Sequence, residues 1–160
     1  LARAEAQAEG APLLAQDSQT EASGLVKKLA AIYQDAGYRV AAEGLSPLKL
    51  AVPEDVLETV LRNLLDNSRD AGATESVIEL ELNPLGRVGE IYVADNGPGI
   101  PQEIEDSIFR PFFTTHKNQG GTGLGLSLAR TLLIPHKGEL HLVDLDSGAA
   151  FLICLPLAGD

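Results

Sequence analysis

The chain has 160 residues, 44% hydrophobic and 22% charged, with a formal net charge of −11. That balance describes one folded domain with a real core and excludes a disordered polymer. The acidic surplus argues against nucleic-acid binding, a lone Cys154 excludes an internal disulfide, and no apolar run reaches membrane length. With no signal peptide either, the expected location is the cytoplasm, and a start at Leu1 without methionine marks a fragment of something longer.

Residues 1–11 are alanine-rich and helical in composition but lack a broad apolar face, as the tail of a helix whose partners lie upstream would. Residues 12–22 form a polar linker opened by Pro12. The spacing Leu25, Leu29, Ile32, Tyr33, Ala36 predicts a helix from about Ser23, stopped by Gly37. Residues 38–42 and 48–52 alternate as short strands. Pro53, Glu54 and Asp55 open a second helix, since proline and acids suit a first turn, and Gly72 ends it. Its buried stripe is Leu57, Leu61, Leu64 and Leu65.

Residues 76–82 alternate around Glu79 and Glu81 as a half-exposed strand, and residues 90–94 form the next strand, which delivers Asp95 at its end. Pro101 opens a short helix through Ile108. Residues 110–122 lack periodicity and read as a mobile loop, fastened at its near end by Phe109, Phe112 and Phe113. Leu124, Leu128 and Leu132 define a further helix, interrupted at Ile134-Pro135. Residues 139–145 and 149–155 close the chain as a hairpin. The expected fold is an α/β (α+β) two-layer sandwich, with a mixed, mostly antiparallel sheet and helices on one face. Residues 23–160 form the domain, and residues 1–22 belong to what precedes it.

Asn63, Asn67 and Asp70 fall at i, i+4 and i+7, on one narrow face bordering the leucine stripe. A carboxamide oxygen is a neutral hard ligand, suited to a magnesium ion that also holds phosphate oxygens; the same side chains also serve as solvated or capping groups. The Asp95 carboxylate is acceptor-only and can take the exocyclic amine of a purine, with Gly97 and Gly99 allowing close approach. A plain Asp-Asn-Gly turn has the same letters. The glycines of 120–125 precede a helix whose free N–H groups favour an anion, and Thr122 adds a hydroxyl. No Lys-Ser/Thr pair follows, so this is not a P-loop, and a glycine hinge remains the plainer alternative. Lys117, beside Thr114, Thr115 and His116, reaches toward a terminal phosphate or is simply solvated.

Together these stretches resemble the catalytic ATP-binding domain of sensor histidine kinases, which shares the Bergerat nucleotide-binding fold with the gyrase, Hsp90 and MutL ATPases. The resemblance covers about residues 23–157. Asn63 to Asn67 looks like the N box, 95–99 the first G box, 108–113 the F box and 121–125 the second G box. Residues 1–5 are similar to the last turns of a dimerisation and phosphoacceptor domain.

The resemblance implies that Asn67 holds Mg²⁺ on the phosphates of ATP, with Asn63 in support and Asn63 and Lys117 as catalytic candidates. It implies that Asp95 binds the adenine amine, with Gly97 and Gly99 shaping that end. Thr122, Gly123 and Leu124 then meet the phosphates. The implied cofactor-binding set further includes Asp70, Ile100, Phe112, Thr114, Thr115, Gly121 and Gly125. The implied reaction passes the γ-phosphoryl group to a histidine on a phosphoacceptor domain upstream or in the dimer mate. A response regulator receiver domain is the further partner in two-component signalling, and no nucleic-acid or membrane contact is implied. None of His116, His136 and His141 sits on a helix beside an acid, so the acceptor lies elsewhere.

A hydrolysing ATPase of the gyrase, Hsp90 or MutL type, an anti-sigma type serine kinase and a nucleotide-free binding module are the alternatives. The sister ATPases activate water with a glutamate one turn before the metal asparagine. Asn63 stands there, an amide cannot act as general base, and Glu58 lies off that face. Slow hydrolysis is therefore expected. Asp70 departs from the basic residue often found in these kinases, leaving Arg69 or Lys117 to neutralise the γ-phosphate.

Overall fold

The computed structural model describes residues 18–44, 47–83, 85, 87–113, 125–143 and 147–159. A short strand, β1 (Thr20–Glu21), runs straight into α1 (Ala22–Asp35); β2 (Arg39–Glu43) and β3 (Lys49–Leu50) precede α2 (Glu54–Asp70). Strands β4 (Glu75–Asn83) and β5 (Val88–Asp95) follow, then α3 (Gly125–Leu133), β6 (Glu139–Val143) and β7 (Ala150–Pro156). Five strands form one sheet in the order β2-β4-β5-β7-β6. Only β2 and β4 pair in parallel, across the crossover that contains α2; the other pairings are antiparallel. The sheet is mixed and mostly antiparallel, as the strand pattern predicts.

Alternation decides which face is buried. Ile78 and Leu80 of β4, Ile91 and Val93 of β5 and Ile153 of β7 turn inward, while Glu79, Glu81, Glu139 and His141 are exposed. The inward side chains share one core with Leu25 and Leu29 of α1 and the leucines of α2. Leu57, Leu61, Leu64 and Leu65 are fully buried, each worth roughly 2 kcal/mol of apolar burial. Glu54 and Asp55 sit in the first turn of α2. Its far end closes with the Ala73 N–H donating to the Ser68 carbonyl and Gly72 at φ 105°.

The polar linker is the first correction. Its end is ordered as β1, which pairs antiparallel with β3. Glu21 then caps α1, its carboxylate accepting the backbone N–H groups of Ser23, Gly24 and Leu48. The Ser23 hydroxyl and those amides hold the Glu21 pKa down, at about 2. The helix expected over 101–108 is a 3₁₀ turn, Gln102–Ile104, followed by further i→i+3 bonds. Ile104 and Ile108 supply apolar contacts for one turn only. The leucine spacing predicts this helix; its fully buried residues are Ala129 and Leu133, Leu132 packs partly against the core, and Leu128 is 45% exposed. The expected interruption is present: a 3₁₀ turn, Ile134–His136, ends with Lys137 at φ 59°. Among the described residues no helix is long and apolar enough to cross a membrane.

Candidate functional site

The candidate site is framed by α2, the end of β5, the turn before β7 and the start of α3. At one end stands Asp95, the last residue of β5. Its Oδ1 accepts the backbone N–H groups of Gly97 at 2.9 Å and Ala149 at 3.1 Å. Its Oδ2 accepts the hydroxyl of Ser68 at 2.6 Å, and its own N–H donates to the Ala149 carbonyl. The carboxylate is thus fixed by three elements at once.

Glycines make that fixing possible. Gly148 has φ 75°, and a Cβ on it would overlap the Asp95 carbonyl oxygen. Gly99, at φ 80°, lies so close to the Gly148 carbonyl that a Cβ would stand 2.9 Å away. Asn96 staples the same loop to the turn after α2. Its Oδ1 accepts the Thr74 and Glu75 N–H groups, and its Nδ2 donates to the Thr74 hydroxyl. Ile100 is half-buried, packed against the core just beyond.

At the other end, Asn63 and Asn67 are half-buried on the face of α2 that meets the start of α3. A Cβ on Gly125 would lie 3.6 Å from Asn67 Oδ1 and 3.9 Å from Asn63 Oδ1. The two predicted asparagines and the last glycine of the second cluster are therefore together. Asn63 Nδ2 is buried, with no hydrogen-bond partner among the described residues. A buried donor without a partner is costly, on the order of 1–3 kcal/mol, and fits a site completed by a ligand oxygen. Asp70 is exposed, 4.0 Å from Arg69.

Arg69 is drawn to the other side of α2. It pairs with Asp66 and lies over the Tyr33 ring of α1. Glu58 belongs to the same network, bonded to Lys28 and Arg62, which together hold its pKa down. Arg69 and Glu58 are thus both engaged in this network. Tyr33 is pushed upward, first by burial and then by its hydrogen bond to Asp66.

Of the three phenylalanines expected to fasten the loop, two do so. Phe109 and Phe113 pack on the core, and Phe109 meets Phe151 edge to face. Phe112 instead takes a left-handed backbone, φ 66°, and its ring is 70% exposed. The Arg130 guanidinium of α3 stacks 3.7 Å from the Phe109 ring centre and donates to the Leu140 carbonyl. Thr114, Thr115, His116, Lys117, Gly121, Thr122, Gly123 and Leu124 lie outside the described residues. Ser68, Gly148 and Ala149 hold Asp95 in place without belonging to any of the motifs; the one sequence signal is that Ser68 follows Asn67.

Comparison with known proteins agrees with this fold. The family described as Histidine kinase-, DNA gyrase B-, and HSP90-like ATPase matches residues 53–159. The two-component sensor PprA of Pseudomonas aeruginosa is 41% identical over 111 residues, 65% of this chain and 12% of that protein. The signal transduction histidine-protein kinase AtoS of Escherichia coli is 30% identical over 153 residues, 91% of this chain and 25% of that protein. The chain thus spans a quarter or less of these two relatives. Among solved structures, the nucleotide-free catalytic domain of histidine kinase ThkA superimposes with TM-score 0.74 at 25% identity. The match covers 87% of this chain and 94% of that one. The mycobacterial sensor histidine kinase MprB gives 0.72 at 21% identity, over 89% of this chain and 98% of that one.

Proposed function

Because this chain belongs to the family of histidine kinase-, DNA gyrase B- and HSP90-like ATPases, we propose that it binds Mg-ATP and passes the γ-phosphoryl group to a histidine on a separate phosphoacceptor domain. Adenine sits at Asp95, and the triphosphate lies between Asn63, Asn67 and the start of α3. The observation that carries this reading is the shared wall of the two motifs. Ser68, the residue after Asn67, bonds Asp95, while Gly125 lies against Asn67 and Asn63. One ligand therefore spans both ends.

In this reading the chain works by placement. Asp95 accepts the purine amine, Gly97 and Gly99 let the backbone approach the base, and Ile100 borders it. Gly125 brings the N-terminus of α3 toward the phosphates, where free N–H groups favour an anion. Asn63 Nδ2, without a partner among the described residues, gains an acceptor. The carboxamide oxygen of Asn67, with Asn63 beside it, suits magnesium, which keeps several waters and needs few protein ligands. Asn67, supported by Asn63, would hold the ion, which would supply neutralisation of phosphate charge. Asp70, Phe112, Thr114, Thr115, Lys117 and residues 121–124 complete the phosphate side.

Water is poorly activated. Asn63 offers no base, and Glu58 is committed to Lys28 and Arg62. Phosphoryl transfer needs alignment and charge neutralisation more than covalent help from the protein, so a supplied imidazole outcompetes water. The partners are the phosphoacceptor domain and a receiver domain in two-component signalling, and the setting is the cytoplasm.

Incubation with radiolabelled Mg-ATP tests this. The chain alone should stay unlabelled, while an added phosphoacceptor domain becomes labelled slowly, because tethering no longer raises its effective concentration. Labelling on His116, or brisk hydrolysis lost in Asn63→Ala with no transfer, would contradict it.

A further inference from the structure

Ser68 is 4% exposed and lies in the last turn of α2. A helical serine commonly returns its proton to a carbonyl of its own helix. Here the hydroxyl instead crosses to Asp95 Oδ2, 2.6 Å away and 27 residues on in sequence. We infer that Ser68 is the specificity-determining residue of the base pocket, selecting adenine over guanine by limiting Asp95 to a single open acceptor position. This rests on the Mg-ATP reading of the same cleft.

A carboxylate offers about four lone-pair positions, two on each oxygen. Both on Oδ1 are taken by the N–H groups of Gly97 and Ala149. Those donors are backbone, held by the loop after β5 and the turn before β7. The Ser68 hydroxyl takes one position on Oδ2, so among the described residues one remains. The exocyclic amine of adenine needs one acceptor. Guanine meets a carboxylate through two adjacent donors, its ring N–H and its amine, and needs two acceptors side by side. With Oδ1 saturated and Oδ2 half-used, the second is missing. The opposite edge of guanine fares no better, since its carbonyl oxygen needs a donor and Ser68 has already given its proton to Asp95.

Ser68→Ala deletes one buried oxygen and frees the second position on Oδ2. No longer held from α2, the carboxylate can turn about its own side chain, loosening its Oδ1 bonds and offering one position on each oxygen to the two guanine donors.

The test is calorimetric titration of Mg-ATP and Mg-GTP into the unaltered chain, Ser68→Ala and Ser68→Thr, with the melting temperature of each nucleotide-free protein. Ser68→Ala should bind ATP about tenfold more weakly, as expected for one hydrogen bond to a charged group, with GTP affected less. The preference for ATP narrows accordingly, and Ser68→Thr, which keeps the hydroxyl, retains it. An equal loss for both nucleotides in Ser68→Ala marks a purely structural serine and overturns the assignment. Binding by the unaltered chain with the same ATP-to-GTP ratio in Ser68→Ala overturns the assignment alone. No binding of either nucleotide by the unaltered chain overturns the nucleotide reading and this inference with it.

Discussion

At the end of the site where we place the base, Asp95 meets two backbone amides and a buried hydroxyl before any ligand arrives. At the end where we place the phosphates, Asn63 keeps a buried amide nitrogen with no partner among the described residues. The first arrangement is a finished network that stabilises the fold whether or not nucleotide is present. The second is an open valence, a cost borne by the free protein that a ligand oxygen relieves. Changes at the base end should therefore damage stability and binding together. Changes at the phosphate end should separate the two.

The largest effect is expected at the turn that backs Asp95. Gly148→Ala forces a side chain onto a backbone at φ 75° and into the Asp95 carbonyl. The two penalties together amount to about 3 kcal/mol, measurable by urea unfolding, with ATP affinity falling in parallel. Unchanged stability would break the claim that this end is pre-built. Asn63→Ala gives the contrasting case. It removes an unsatisfied buried donor, so the free protein should keep its stability to within about 0.5 kcal/mol or gain, while Mg-ATP binding weakens roughly tenfold. A large loss of stability would show that Asn63 is satisfied in the free state.

A third region, distant from both ends, sharpens the contrast by titration. Glu21 has its pKa lowered from 4.5 to about 2 in the folded chain, chiefly by the Ser23 hydroxyl. A lowered folded pKa means that the stabilisation is present above the unfolded value and is lost as pH falls toward the folded one. The difference in melting temperature between the unaltered chain and Glu21→Gln should be small, full above pH 4.5, and shrink between there and pH 2. Glu21 is exposed, so solvent screening limits its size. A difference that grows on acidification would contradict the cap.

What the sequence discloses follows from the range of the interactions. The i, i+4 spacing of Asn63 and Asn67 beside a leucine stripe, and the alternation that ends at Asp95, are local patterns, and the structure keeps both. Ser68 and Ala149 act on Asp95 from 27 and 54 residues away, and no local pattern announces them. β1 has only two residues, too few for a period, and exists because β3 pairs with it. In α3 the leucine spacing announces the helix, while the fully buried residues, Ala129 and Leu133, are set by what packs against it. Phe112 shares its neighbours' composition and departs from them because its backbone is left-handed.

The central claim is that the Asp95 carboxylate receives a purine amine. Its most direct test is a cycle of four affinities: Mg-ATP and the triphosphate of purine riboside, which lacks the amine, each with the unaltered chain and with Asp95→Asn. The unaltered chain should prefer ATP by about tenfold or more, and the asparagine variant, which turns an amide donor toward the base, should lose that preference. Equal affinity of the unaltered chain for both nucleotides, or a preference that survives in Asp95→Asn, would contradict the account.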